Sequence, residues 1–115
     1  MKRGDIWTVS GGGEYTGKPR PAVIVQDNEF DGTQSITICA FTTDPTEAPL
    51  FRLPVEPNDR NGIAASSSLM VDKITTVSKT KLGKRIGRLD DEDLIRLNQA
   101  LLVFLGLARS PRRPR

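Results

Sequence analysis

Short apolar stretches, separated by glycine, proline, asparagine and aspartate, fill the first nine-tenths of the chain. They are rich in β-branched residues and in places alternate with polar ones, which predicts β-strands, because alternate side chains point to opposite faces of a sheet. Pro54 interrupts one such stretch and favours an edge strand, since proline has no N–H to donate. We predict a small antiparallel barrel from strands at 6–9, 21–26, 35–41, 50–55 and 66–77, the last kinked near Asp72.

The last periodic segment predicts a helix that begins after Asp90, a suitable N-cap, with an acidic first turn at 91–93. Its apolar residues recur at helical spacing, at Leu94, Leu97, Leu101, Phe104 and Ala108. Every residue from 100 to 108 is apolar or glycine. This run contains more apolar residues than a helix with a single buried stripe needs. Because a small barrel covers only one side of such a helix, we expect a homodimer.

The chain has 115 residues, enough for one hydrophobic core and too few for two. We therefore predict one domain, residues 1–108, and a basic tail, residues 109–115, whose arginine and proline content predicts disorder. No apolar stretch approaches the ~20 residues of a membrane span, and the N-terminus lacks the apolar core of a signal peptide. The single cysteine, Cys39, lies in a predicted strand, where we expect a buried, inert thiol. These features predict a soluble cytoplasmic protein.

Charge is distributed unevenly along the chain, whose formal net charge is +3. Four of its 17 basic residues lie in the tail, which leaves 13 basic against 14 acidic residues elsewhere. The folded body is therefore not basic overall. Between Lys73 and Arg88 there are six basic residues and no acidic one. Two interpretations stay open for this segment: a local anion-attracting patch, or a solvated strand and loop.

The chain contains no histidine, and this absence excludes several kinds of active site. Neither a Ser-His-Asp triad nor a Cys-His pair can be built, and a ribonuclease with paired imidazoles is excluded as well. One cysteine without histidine cannot supply the usual ligands of a zinc site. An enzyme with this sequence would work with carboxylates, hydroxyls, lysines or arginines.

Three features suggest chemistry on an anion. Arg20 lies between Pro19 and Pro21, which stiffen its backbone and reduce the freedom that a guanidinium loses on binding phosphate. Thr42 and Thr43 end a predicted strand, where their hydroxyls can donate to phosphate oxygens. Asp72 is the third candidate. Each also has a structural explanation, in turn chemistry for the threonines and in a turn or an ion pair with Lys73 for Asp72.

Several motifs follow one another in order over residues 2–108. They are RGDIW at 3–7, RPAVIVQ at 20–26, Thr42 after a strand, NGI at 61–63, the strand leading to Asp72, TTV at 75–77, and GRL at 87–89 before the last helix. With these motifs the chain resembles the MazF/PemK family of toxin endoribonucleases. The resemblance implies a mainly β fold with a C-terminal α-helix, a small SH3-like antiparallel barrel of the type also seen in CcdB and other plasmid-maintenance toxins.

The resemblance also implies an activity. Members of the family cleave single-stranded RNA, typically mRNA, at a short sequence without metal or other cofactor. The RNA 2′-hydroxyl attacks the adjacent phosphate, which leaves a cyclic phosphate and a free 5′-hydroxyl. Family members act as homodimers and are neutralised by a cognate, MazE-like antitoxin whose acidic C-terminal segment lies along the substrate groove. The basic segment 73–88 is a candidate contact for that segment or for RNA.

By the same resemblance, Arg20 would stabilise the phosphorane and take part in proton transfer, and Thr42 would orient the phosphate. The residues expected to contact substrate are Glu14, Lys18, Thr43, Ser68, Met70 and Asp72. The chain departs from the family at Met70, because some relatives have an arginine two residues before the acid. Whether Asp72 is a catalytic partner therefore stays open, and it could instead contact a base or hold the loop.

Two other functions are compatible with the same barrel. The first is a CcdB-like inhibitor of DNA gyrase, which binds protein and catalyses nothing. The second is an SH3-like module that binds RNA or a peptide passively. Cleavage of RNA by the purified protein distinguishes the endoribonuclease from both alternatives.

Overall fold

A computed structural model describes residues 1–10, 18–45 and 51–109. These residues form seven strands and one α-helix: β1 (Asp5–Val9), β2 (Arg20–Ile24), β3 (Ser35–Thr42), β4 (Arg52–Val55), β5 (Ser67–Met70), β6 (Thr75–Ser78), β7 (Leu82–Arg88) and α1 (Asp91–Phe104). The predicted substrate contact Glu14 and the tail beyond Arg109 lie outside the described residues. No helix in the described segments is long and apolar enough to cross a membrane.

The strands form one antiparallel sheet in the order β4-β5-β3-β2-β1-β7, and β6 pairs with β3 next to β5. The prediction of a mainly β fold with a C-terminal helix is confirmed, although the sheet is barrel-like without closing fully. Within this sheet β4, which contains Pro54, lies at the edge, as the proline predicted. Lacking an N–H, Pro54 loses least at a position with no second neighbour.

The structure corrects the predicted strands in two ways. The predicted strand 66–77 is two strands, β5 and β6, separated at the expected kink by a 3-10 turn, Val71–Lys73. Strand β7 was not among the predicted strands, because basic residues and glycines occupy most of its positions. It pairs with β1 and so joins the two ends of the chain in the sheet.

The alternating pattern of β3 gives the sheet two apolar faces. Cys39 and Phe41 point into the core under α1, where Leu97 of the helix is fully buried. Ile36 and Ile38 point to the other face, which forms a second, smaller cluster. One strand thus serves both apolar faces, because successive side chains of a strand point to opposite sides of the sheet.

Helix α1 begins at Asp91, as predicted, but ends before its apolar pattern does. Asp90 occupies the N-cap position, but its side chain makes no capping hydrogen bond and instead accepts one from Asn58 Nδ2 at 2.9 Å. The helix ends at Phe104 rather than at 108, and the chain turns at Gly106, whose φ of +76° suits glycine. Its last turn exposes large apolar residues, at Leu102, Val103, Phe104, Leu105 and Leu107.

The motif at 61–63 fixes the turn that packs against β7. Asn61 is fully buried, and its side chain accepts from the backbone N–H of Asn58 and of Ile63. A Cβ on Gly87 of β7 would overlap the backbone of this turn, at the carbonyl oxygen of Arg60. Only glycine therefore permits this close approach between β7 and the turn.

Candidate functional site

Strand register brings three of the predicted site residues into one row across the sheet. Ala22 of β2 pairs with Ala40 of β3, so the antiparallel register, continued by two residues, sets Arg20 opposite Thr42. Thr42 in turn pairs with Ser68 of β5. Paired residues in an antiparallel sheet share a face. Arg20, Thr42 and Ser68, which we call the Thr42 row, therefore project from the same face.

Arg20 begins β2 as an exposed residue and pairs with Val9 at the end of β1. The flanking Pro19 and Pro21 fix the backbone on both sides of it. Lys18, exposed and two residues earlier, adds a second cation near the same end of the strand. A guanidinium offers several donors in a planar fork, which suits the oxygens of a phosphate.

Thr42 ends β3 as a half-buried residue. Its Oγ1 accepts a hydrogen bond from the backbone N–H of Asp44 at 3.1 Å. Because a hydroxyl both accepts and donates, this bond orients the oxygen and leaves its hydrogen to be donated to another acceptor. Thr43 follows as an exposed residue and adds a second hydroxyl at the strand end. The row thus combines a cation with oriented hydroxyl donors.

A cavity of about 220 Å³ opens beside Thr42. Hydroxyls from two segments line it, residues 42–43 and 66–68, together with the carboxylates of Asp44 and Glu56. We call this space the hydroxyl cavity. Ser68 was among the predicted contacts, but Ser66, Ser67 and Glu56 were not. The available signal was the run of three serines at 66–68, which becomes meaningful once Pro54 of β4 is known to pair with Ser68.

Met70 and Asp72 lie beyond the row along the chain, and alternation puts Met70 on the same face of β5 as Ser68. Met70 is 6% exposed and pairs with Arg52 of β4. Asp72, in the turn after β5, contacts Arg52 through both carboxylate oxygens, at 3.3 Å from Nε to Oδ1 and 3.4 Å from Nη2 to Oδ2. The ion pair of Asp72 is therefore with Arg52, not with the neighbouring Lys73. Arg52 ties the edge strand to the turn, a connection that sequence reasoning missed because the two residues are 20 positions apart.

The basic residues between 73 and 88 are distributed over two 3-10 turns and β7. Lys79 lies in a 3-10 turn and contacts Asp31, whereas Arg85 and Arg88 lie on β7 at the other side of the sheet. Arg85 and Arg88 contact Asp5, at 3.4 and 4.0 Å. These carboxylates come from distant parts of the sequence. Three of the six basic residues are therefore paired with carboxylates, which reduces their availability to an outside anion.

A second cavity, of about 410 Å³, lies beside Asp5 at the far end of β1 from the Thr42 row. We call this region the arginine end. Its arginines are Arg60, Arg85 and Arg88, and its carboxylates are Asp5, Asp90 and Asp91. Asp5 is 7% exposed, so its charge is held largely inside the protein by the two β7 arginines. Each of these arginines has at least one carboxylate within 4.0 Å, which makes it less available to an outside anion.

Cys39 is fully buried in the core under α1, as predicted. Burial, together with a smaller effect of the nearby Asp72 carboxylate, raises the pKa of its thiol to about 12, while Arg52 acts in the opposite direction. A thiol in this state stays protonated and is a poor nucleophile. Elsewhere in the described segments, no group of three or more cysteine, aspartate or glutamate side chains could hold a metal ion.

The sequence is similar to those of a known toxin family and of two named endoribonucleases. The model of a family described as PemK-like, MazF-like toxin of type II toxin-antitoxin system matches residues 2–105. A probable endoribonuclease MazF of Mycolicibacterium smegmatis is 53% identical over 108 residues, which cover 94% of this chain and 99% of that protein. Endoribonuclease EndoA of Bacillus subtilis is 28% identical, with 93% of this chain and 96% of that protein covered.

Solved structures share the fold. An endoribonuclease in complex with its cognate antitoxin, from a mycobacterial species, matches with a TM-score of 0.79 at 24% identity, over 96% of this chain and 99% of that one. A MazE-MazF crystal structure from Deinococcus radiodurans matches with a TM-score of 0.74 at 18% identity, over 92% of this chain and 95% of that one. At such identities the likeness establishes the architecture of the sheet and its C-terminal helix.

Proposed function

The chain belongs to the PemK-like, MazF-like toxin family of type II toxin-antitoxin systems, and on this basis we propose that it is an endoribonuclease. Its substrate is single-stranded RNA, mRNA in particular, cleaved at a short sequence without metal. The observation that supports this most directly is the Thr42 row, which aligns an arginine and a hydroxyl on one face of the sheet. Two curated relatives named as endoribonucleases point to the same activity.

In the proposed reaction the 2′-oxygen of RNA attacks the adjacent phosphorus while the bond from phosphorus to the 5′-oxygen breaks. The 2′-hydroxyl loses its proton, and the leaving 5′-oxygen gains one, so the products are a 2′,3′-cyclic phosphate and a 5′-hydroxyl. Arg20 stabilises the additional negative charge on the phosphorane, and Thr42 donates to a non-bridging oxygen. Fixed donors aimed at developing charge can supply much of such a rate enhancement, which fits a chain without histidine.

Two protein partners complete the proposal. We expect a cognate antitoxin whose acidic segment covers the Thr42 row, and a mycobacterial structural neighbour is itself described as a complex with its cognate antitoxin. We also expect a homodimer. The apolar residues at the end of α1 are between 44% and 68% exposed, and a contiguous apolar surface of this kind is typical of an interface. The site of action is the cytoplasm, where RNA substrates are available.

The test is cleavage of a labelled single-stranded RNA by the purified protein in EDTA. Wild type should produce cyclic-phosphate and 5′-hydroxyl ends, and Arg20→Ala should lower the rate about 10²- to 10³-fold. The melting temperature should change little, since Arg20 is exposed. Arg60→Ala is the matched control, because this arginine is 79% exposed and lies outside the row.

Two outcomes would contradict the proposal. Cleavage by Arg20→Ala at the wild-type rate would remove Arg20 from the mechanism. Inhibition of gyrase supercoiling without any cleavage of RNA would instead support the CcdB-like alternative, which no residue or comparison now favours.

A further inference from the structure

The hydroxyl cavity lies next to the Thr42 row and shares Thr42 with it. Its volume of about 220 Å³ is below the ~300–1,000 Å³ of clefts that take drug-sized ligands. It therefore suits one ring-sized group rather than a longer ligand. A group placed there would be within one nucleotide of a phosphate bound at Arg20.

The charges of the cavity disfavour a phosphate. Among the described residues that line it, the ionisable ones are Asp44 and Glu56, and both are acidic. Carboxylates repel an anion and accept hydrogen bonds from N–H donors. Pro45 and Pro54 add apolar walls. A neutral ring with N–H groups on its edge matches this lining better than a sugar-phosphate segment does.

Glu56 is held in place for such a contact. Ser66 Oγ lies 2.6 Å from Glu56 Oε1 and donates to it, which fixes the carboxylate relative to β5. An ionised carboxylate has about four acceptor positions, so Oε2 and part of Oε1 can still receive donors. The side chain of Glu56 is also exposed, and its free oxygen can be reached from the cavity.

We propose that the hydroxyl cavity binds the base of a nucleotide that flanks the scissile phosphate, and that Glu56 selects a base with an exocyclic amino group. This inference rests on the proposed endoribonuclease function. Cytosine, adenine and guanine each offer an amino group that a carboxylate can accept from, as it does from cytosine N4 in DNA. Uracil has no amino group, and its N3–H lies between two carbonyl oxygens that a carboxylate would repel.

The test uses a randomised single-stranded RNA library and sequencing of the cleaved ends. Wild type should cut with uracil depleted at one position flanking the cut. Glu56→Gln keeps the size of the side chain but replaces one acceptor oxygen with a donor, so the depletion of uracil at that position should shrink about tenfold. Glu29→Gln is the matched control, an exposed glutamate in the 3-10 turn Asn28–Phe30, and should leave the base preference unchanged.

A second variant keeps the inference testable if Glu56→Gln fails to fold. Ser66→Ala removes the hydroxyl that orients Glu56 and should weaken the preference at the same position. An active Glu56→Gln or Ser66→Ala enzyme whose base preference equals that of wild type would overturn the inference and leave the endoribonuclease proposal intact. A wild-type protein that cleaves no RNA would overturn both.

Discussion

The two ends of the sheet use arginine in different ways. At the Thr42 row, Arg20 stands in register with hydroxyls of β3 and β5. At the arginine end, Arg60, Arg85 and Arg88 face an equal number of carboxylates. The sequence placed two of these three arginines in its most basic segment, yet both contact the buried carboxylate of Asp5, 80 residues from Arg85. A high density of basic residues along the sequence is therefore a poor indicator of an anion site, because the fold determines which carboxylates lie beside these residues.

This contrast predicts a separation of effects. Substitutions at the arginine end should change the free energy of unfolding and spare activity per folded molecule. Substitutions in the Thr42 row should change activity and spare stability. Four experiments test this separation.

Gly87→Ala should have the largest effect, at the arginine end. Its Cβ would overlap the Arg60 carbonyl and Asn61 backbone atoms, which cannot shift as a flexible side chain would. We expect a loss of about 3 kcal/mol or more in the free energy of unfolding, measured by urea denaturation. Gly32→Ala is the matched control, since its Cβ would meet no atom within 4 Å. Equal stability of the two variants would contradict the close packing of β7.

Asp5→Asn removes the charge that Arg85 and Arg88 share. The amide can still accept the hydrogen bond from the Lys2 backbone N–H, which the carboxylate accepts at 2.9 Å. We expect a stability loss of about 1–2 kcal/mol, because Asp5 is buried while its partners are about half exposed. RNA cleavage per folded molecule should match wild type. A variant that is fully stable but inactive would break the comparison, since it would give the arginine end a catalytic role.

Thr42→Val tests the other end with a side chain of similar shape. Loss of the hydroxyl should lower the cleavage rate about tenfold or more, equivalent to about 1.4 kcal/mol of transition-state stabilisation. Stability should fall by less, because the hydroxyl accepts only one bond, from the Asp44 N–H. Single-turnover cleavage and thermal unfolding measure the two quantities. Thr33→Val, at an exposed threonine remote from the row in sequence, is the control.

Cys39 lies in the core, outside both ends of the sheet. Its ionisation should cause the smallest change in the free energy of unfolding. Its folded pKa of about 12 exceeds the unfolded value of 9.0, so its contribution to stability is complete below pH 9 and is lost as pH rises towards 12. Between pH 8 and pH 9.5 the loss should be below about 1 kcal/mol. The difference in unfolding free energy between wild type and Cys39→Ala should shrink over this range. A constant difference would show that the thiol titrates normally in the folded protein.

Patterns among neighbouring residues predicted those parts of the fold that depend on residues close together in the sequence. Alternation within β3 assigned Ile36 and Ile38 to one face and Cys39 to the other, and Pro54 placed β4 at an edge. Strand β7 was not predicted, because Leu82 and Ile86 are its only large apolar residues. Its position depends instead on pairing with β1, a contact between opposite ends of the chain.

The candidate site shows the same limit. Arg20 and Thr42 were identifiable from stiff backbone, strand-end chemistry and family resemblance. The contacts of Arg52 with Asp72 and of Ser66 with Glu56 were not, because each joins residues from different strands or loops whose pairing no local pattern specifies. Long-range side-chain pairs of this kind depend on strand register.

The pairing of β1 with β7 also has a consequence for the time course of folding. Residues 5–9 leave the ribosome early, but their partner strand is complete only once residue 88 has emerged. Forming a contact between residues this far apart in sequence costs a large loop-closure entropy before the contact stabilises the chain. Topologies with many such contacts therefore fold slowly. The sheet should therefore reach its full set of strand pairs only after most of the chain has been synthesised. A delay of this kind leaves an interval in which the newly made polypeptide is not yet a fully formed toxin.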